Sequence, residues 1–434
     1  MNLAADIRKL VDATLLVDTH EHLLEEATRL LPDAPARQWQ AARDFSVLLS
    51  HYADDDLVVA GMPPEGLQTL QNPQVAPRDK WRAMAPYYAR ARHTGYLQSV
   101  RMTLRALYGV DDLNEENCEA VSDKIAAMIR PGYYRHILKD VARLHHCQVN
   151  SLEAQIFQET QYPDLLCQDI SIVPLATNPR PTQVRAITGM QIQSLENWHR
   201  AIDWCFEKYG PRAIAVKDQW AYHRGLDYAE VTAAQASPLF DRFLQDQKAL
   251  NAGECKAMQD HLFHYCVRRA TDFRLPVKLH TGYYAGRGKM PLHRLRHNAG
   301  DLSELLRMHP KTPFVIMHIT YPYQDEAIAL AKHFANAYVD LCWAWIINPT
   351  AAVRFVKEFL MAAPANKLLT FGGDYMPVEM VPGHAAIARQ GLAQALAELV
   401  AEGWLAEAAV PELVERLMFR NALELFDYER CARG

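Results

Sequence analysis

Two histidines, His20 and His22, flank Glu21 just after the apolar run Leu15-Leu16-Val17. Side chains alternate along a β-strand, so Asp18, His20 and His22 are expected on one face, where two imidazoles can reach one metal ion without bending the backbone. Neutral imidazole is a ligand for zinc and for several other divalent ions. Taken alone, the pair reads as two surface histidines after a buried strand. Other apolar runs end on residues of the same kind: Lys217 after Ile214-Ala215-Val216, His280 after Val277-Lys278-Leu279, His318 after Val315-Ile316-Met317, and Asp374 after Phe371-Gly372-Gly373. Burying so many polar groups without compensation is costly. A shared metal site at one rim is therefore expected, able to lower the pKa of a water and polarise a carbonyl.

The elements that must position these residues are short apolar runs at 14–20, 148–152, 170–175, 213–217, 276–280, 313–318, 337–341 and 367–371. Helical patterns separate most of them, at 194–209, 237–272, 302–309, 325–336 and 349–362. Strands alternating with helices imply a parallel sheet, and eight such units imply a (β/α)8 barrel of the TIM type. A doubly wound open sheet is the alternative, since the second strand is faint. A large helical insertion, about residues 23–145, follows strand one, with helices expected at 78–108, 115–129 and 132–145 and a cap at Asn114. Barrel active sites sit at the C-terminal strand ends, so the insertion is expected as a lid over the site or as an oligomer interface. Helices at 385–426 close the barrel, and 1–434 reads as a single unit.

Half of the 434 residues are hydrophobic and the formal charge is −5, which suits a globular protein and gives no electrostatic reason to expect nucleic acid or an anionic membrane. No segment approaches the roughly 18 uninterrupted apolar residues of a membrane helix. The eight cysteines are scattered without a CxxC pair, which suggests buried thiols in a reducing cytoplasm.

The order HxH on strand one, Lys on strand four, His on strands five and six and Asp after strand eight resembles the amidohydrolase superfamily over nearly the whole chain. The stretches KDQWAYHR (217–224), FGGD (371–374) and NALELF (421–426) look like its amidohydrolase-2 branch. That branch includes metal-dependent hydrolases, decarboxylases and domains fused to glutamine synthetase; uronate isomerases, more distant, also carry a helical insertion near the N-terminus. The resemblance implies that His20, His22 and Asp374 are metal ligands, with His280 a further one. It places Lys217 where binuclear members carry a carboxylated, bridging lysine, and His318 where mononuclear members polarise the substrate. The implied cofactor is one or two divalent ions, Zn2+ first. Asp374 would then accept the water proton and pass it to the leaving group, while His318 and the metal stabilise the oxyanion. Asp18 reads as a structural acid lower in the barrel.

Tyr222 and Arg224 after strand four, and Tyr283 and Arg287 after strand five, are the substrate-binding candidates, because a guanidinium pairs bidentately with a carboxylate. They read equally well as residues that hold loops together. Trp343 and Trp345 could wall the pocket or fill the core, and Lys278 could meet substrate or a barrel carboxylate. His145 and His146 are expected at a helix end. His261 and His264 (i, i+3) and His293 and His297 (i, i+4) share helix faces but lack the Glu of a HExxH site, and no metal is expected there. No GxSxG elbow is present.

The expected function is a cytoplasmic, homo-oligomeric metal-dependent hydrolase that cleaves an amide, lactone or ester of a small acidic molecule. The alternatives are a lyase or isomerase on the same metal site, such as a decarboxylase or uronate-isomerase-like enzyme, and a non-catalytic metal-binding domain.

Overall fold

The computed structural model describes residues 3–152, 155–288 and 290–433. Eight parallel strands run in the order of the chain: β1 (Leu16–Glu21), β2 (Leu144–Val149), β3 (Leu166–Ser171), β4 (Ala215–Asp218), β5 (Val277–Leu279), β6 (Phe314–Ile316), β7 (Ala337–Asp340) and β8 (Leu368–Leu369). Each pairs with the next, and Ser171, Lys217 and Lys278 lie in register across β3, β4 and β5. β8 is very short. The chain beyond it closes the barrel on β1, with the Thr19 amide donating to the Phe371 carbonyl at 3.0 Å and the Asp374 amide to the His20 carbonyl at 2.9 Å. This is a TIM-type barrel with helices outside, and among the described residues no helix is long and apolar enough to cross a membrane.

Three expectations for the strands and helices of the barrel need correction. β2 begins at Leu144 rather than 148, so His145 and His146 lie on the strand and not at a helix end. β3 covers Leu166–Ser171, and the run expected as strand at 173–175 forms a helical turn. Pro174 has no N–H to give a ladder, whereas Gln168 and Asp169 are polar residues facing buried surroundings and so mask the true strand. The single helix expected at 237–272 is two, Ala233–Gln245 and Ala252–Asp272. Asn251 accepts the Glu254 amide and the Glu254 side chain accepts the Asn251 amide, a capping box that starts the second helix.

The insertion after β1 is helical, with Ala53–Val59, Pro77–Ala91, Gly95–Thr103 and Cys118–Met128 among its elements. The last of these starts at Cys118, three residues later than the expected start at 115, and Asn114 instead accepts the amides of Glu116 and Asn117 in the turn before it. Buried polar contacts fasten the insertion down. Glu26 accepts the amides of Gly132 and Tyr134, both at 3.0 Å. Arg29 pairs with Glu379 in the segment after β8. The C-terminal helix Val381–Ala401 packs against Gly95–Thr103, where a Cβ on Gly383 would meet the Ser99 carbonyl at 2.2 Å.

Candidate metal centre

β1 and the turn after β8 meet at the open end of the barrel. His20 Nε2 and His22 Nε2 each lie 3.2 Å from Asp374 Oδ1 and 3.3 Å from one another. Asp374 follows Gly372-Gly373 with φ +62°, in the left-handed region that Asp tolerates better than most residues. Gly373 is required here, because a Cβ would stand 1.8 Å from Glu21 Oε1. His318 and His280 form the opposite side, with His318 Nε2 2.9 Å from His280 Nδ1. All five residues are buried.

The second nitrogens of these rings fix their tautomers. His22 Nδ1–H donates to the Asn150 carbonyl (2.8 Å), His318 Nδ1–H to the Cys342 carbonyl (3.0 Å) and His280 Nε2–H to the Tyr283 carbonyl (3.1 Å). The inward nitrogens of neutral His318 and His280 therefore carry lone pairs. They converge with Asp374, which only accepts. Burial, followed by Lys217, holds His20 well below its usual pKa; burial, His318 and Lys217 do the same for His280. Burial brings His318 down to about 4. Burial alone would raise Asp374, but bonds from His20 and His22 outweigh it and hold the carboxyl well below the usual carboxylate range. A converging set of lone pairs and a carboxylate with too few protons fits a divalent cation, and backbone carbonyls on the outer ring nitrogens are the usual support for ligating histidines. The donor set suits zinc among other ions.

Lys278 Nζ lies below His20, bonded to the Thr19 carbonyl (2.8 Å) and to both Asp169 oxygens (3.0 Å). It thus neutralises a barrel carboxylate, and Asp169 Oδ2 in turn stands 3.9 Å from His20 Nδ1. Lys217 is buried with Nζ 2.7 Å from the Met317 sulfur, and burial brings its pKa down to about 8. Asp18 Oδ1 accepts the amides of His20 (3.1 Å) and Gly373 (3.2 Å), which braces β1 against the turn after β8.

The substrate candidates separate. Tyr222 packs its ring 4.6 Å from that of His280, and the Tyr283 ring lies 5.8 Å from Trp343, whose own ring is 5.4 Å from His318. Arg224 is not at the cluster: its guanidinium pairs with Asp260 at 2.5 Å and lies over the Tyr228 ring. Arg287 is held by Asp54 (3.0 Å) and Asp55 of the insertion, so it latches the loop after β5 to that helix. Trp345 is wholly buried and donates to the Thr370 carbonyl, a core role.

Two residues of the insertion were not expected. Tyr52 donates its hydroxyl to Asp374 Oδ2 and to the Asp374 carbonyl, both at 2.7 Å, and the His51 ring stacks 6.2 Å from that of His22. The insertion is therefore a wall of the site. The dense run His51-Tyr52-Ala53-Asp54-Asp55-Asp56 was the available signal. Cys342 Sγ also comes near His318 and Asp374. Burial pushes this thiol well up, away from the thiolate that binds metals, and its side chain packs on Gly372.

A family model described as Amidohydrolase matches residues 209–428, half of the chain. The chain belongs to the amidohydrolase family. Among curated proteins, this amidohydrolase is 24% identical over 228 residues to "Protein fluG" of Emericella nidulans, an alignment that covers 50% of the chain and 26% of that protein. The chain thus spans about a quarter of the length of that relative. Its fold resembles a uronate isomerase from Thermotoga maritima (TM-score 0.77, 14% identity, 98% of this chain and 97% of the other). It also resembles a glucuronate isomerase from Caulobacter crescentus (0.77, 17%, 98% and 94%) and a putative metal-dependent hydrolase from Lactobacillus casei (0.67, 16%, 98% and 98%).

Proposed function

We propose that this amidohydrolase is a metal-dependent hydrolase that opens an amide, ester or lactone bond of a small, carboxylate-bearing molecule. The observation that carries the reading is the double attachment of Asp374: Oδ1 faces His20 and His22 while Oδ2 accepts the Tyr52 hydroxyl. A divalent ion held by His20, His22 and Asp374, Zn2+ first, supplies a Lewis acid that brings the pKa of water from 15.7 towards about 7 and polarises a carbonyl. Asp374 takes the proton of the attacking water and returns it to the leaving group. Tyr52 fixes the carboxylate so that its free lone pair points at the reacting atoms. His318, with Nδ1–H committed to Cys342, presents a lone pair, so it acts as acceptor or ligand. The oxyanion-stabilising role expected for His318 passes to the Lys217 ammonium, which sits against the Met317 sulfur. Tyr222 and Tyr283 line the substrate side with Trp343. Eight free thiols, seven of them buried, support a reducing compartment.

The test is turnover of a panel of lactones, esters, N-acyl amino acids and uronates in H2(18)O, with Asp374→Asn as control. One 18O per product, lost in the variant, is expected; turnover without 18O overturns hydrolysis. The Tyr52–Asp374 pair, an acid beside a base, also favours a second reading, proton transfer between neighbouring carbons of a uronate. In a parallel run in D2O, deuterium on carbon, with no 18O uptake from H2(18)O, selects it.

A further inference from the structure

The inner face of the barrel carries polar side chains that no protein group satisfies. Lys217 on β4 marks that face, because its Nζ meets the Met317 sulfur just past β6, a contact between strands that are not neighbours. Ser171 lies in register with Lys217, two residues beyond Asp169, which bonds Lys278 inside the barrel. Gln148 pairs with Cys167, two residues before Asp169, so alternation puts Gln148 and then Asn150 on the same face. All three side chains are buried, with 1% exposure or less. Among the described residues, both amide atoms of Gln148 and of Asn150, and Ser171 Oγ, have no hydrogen-bond partner.

Buried polar atoms without partners are rare and costly, so a run of them along one wall needs a reason. Two of these residues stand beside the metal centre. The Asn150 carbonyl accepts His22 Nδ1–H at 2.8 Å, and the Asn150 amide donates to the Glu21 carbonyl at 2.8 Å, which fixes this residue against β1. The Ser171 amide is anchored in turn on the Ile156 carbonyl at 2.8 Å. Gln148 lies a step deeper. The wall across from them is aromatic, with Tyr222 against His280 and Tyr283 beside Trp343. Arg224 and Arg287 are committed to Asp260 and to Asp54 and Asp55. Polar recognition on the β2–β3 side thus falls to Asn150 and Ser171.

We propose that Asn150 and Ser171 set specificity by binding neighbouring hydroxyl groups of the substrate, beside the carbonyl that the metal-dependent reading above places at the ion; both roles depend on that reading. An amide offers N–H donors and a carbonyl acceptor, and a serine hydroxyl both gives and takes. A carboxylate only accepts, so it would satisfy Asn150 Nδ2 and leave Oδ1 facing a negative charge. A hydroxyl donates to Oδ1 and accepts from Nδ2 or from Ser171 Oγ–H. Two neighbouring hydroxyls satisfy all three atoms. Solvent serves such groups in a resting enzyme, and a diol that reproduces its bonds displaces it without loss. The substrate is therefore a polyhydroxylated acid derivative, with its hydroxyls along the β2–β3 side and its C–H faces against the tyrosines.

Isothermal titration of the zinc-loaded protein with D-gluconate and with hexanoate, acids of equal chain length, tests this without turnover. The wild type is expected to bind gluconate tighter by at least about tenfold, since a site built for hydroxyls rejects an analogue that lacks them. Ser171→Ala and Asn150→Leu are each expected to narrow that ratio by about three- to tenfold through weaker gluconate binding, while Ser171→Thr keeps it. Zinc content is expected to stay the same, because the Asn150 backbone and not its side chain holds His22. Ser171→Ala removes one oxygen and carries the test even if Asn150→Leu does not fold. No gluconate binding, equal affinity for the two acids, or a ratio that Ser171→Ala leaves unchanged overturns the proposal. A variant that melts lower at an unchanged ratio has a structural role and overturns it too. Gluconate preference that depends on Ser171, found together with turnover lacking 18O, removes hydrolysis and supports this assignment.

Discussion

Tyr52→Phe removes one oxygen and little else. The ring is held by Trp343 at 4.9 Å and by Tyr96 and Tyr375 at 5.3 Å, contacts that Phe keeps. What goes is the hydroxyl 2.7 Å from Asp374 Oδ2. A hydrogen bond to a charged group contributes about 1.5–3 kcal/mol. If that bond orients the carboxylate as it takes a proton, kcat falls by about 10- to 150-fold at about 1.4 kcal/mol per decade. KM is expected to move less than about threefold, because the hydroxyl faces the carboxylate rather than the substrate wall. Metal content is expected to stay the same, since Oδ1, His20 and His22 are untouched. At about 2.1 cal/mol/K per residue of unfolding entropy, the stability loss corresponds to roughly 2–3 °C in Tm. The assays are steady-state kinetics on the substrate found with the 18O panel, metal counting, and a thermal melt. A kcat within twofold of wild type refutes the positioning role. Loss of the metal together with kcat refutes it too, because the hydroxyl would then be holding the ligand set and not the reacting carboxylate.

Asp54 is buried beside Asp55, which pushes its pKa up to about 6 against the opposing pull of Arg287. The folded pKa lies above the unfolded 3.8, so the stability this group contributes is full below about pH 4 and is lost as pH rises through about 6, a change on the order of 3 kcal/mol. Asp54→Asn, which keeps an oxygen for Arg287, is expected to melt higher than wild type at pH 7.5 and to match it at pH 4 by differential scanning fluorimetry; equal melting at both pH values counts against it. Lys278→Met leaves the buried Asp169 carboxylate without its cation and is expected to cost about 3–5 kcal/mol. Denaturant unfolding checks this, and Asp169→Asn added to Lys278→Met is expected to recover most of the loss.

β1 and β4 to β8 are legible in the sequence because an apolar, β-branched run stops abruptly on a polar residue. That stop also marks His20, Lys217, His280, His318 and Asp374. β2 and β3 are poorly legible for the opposite physical reason. Their buried positions include His146, Gln148, Gln168 and Asp169, which break the apolar signature. The insertion's share of the site is not readable locally, since Tyr52 reaches Asp374 only after helices far apart in sequence have packed. Arg224 and Arg287 carry the same chemistry beside tyrosines, yet each is committed to a carboxylate, Asp260 or Asp54 and Asp55, that lies elsewhere in the sequence.

The seam between β1 and the segment after β8 has a consequence for the order in which the molecule becomes competent. Asp18 and Gly373, 355 positions apart, are joined by a hydrogen bond, and the proposed ligands beside them are divided across the same seam. No early portion of the emerging chain can hold His20, His22 and Asp374 together. Metal capture by these proposed ligands would therefore be a late event that reports completion of the ring, with the ion as a clasp across the seam. A fragment confined to the matched region 209–428 would carry Asp374 but neither His20 nor His22.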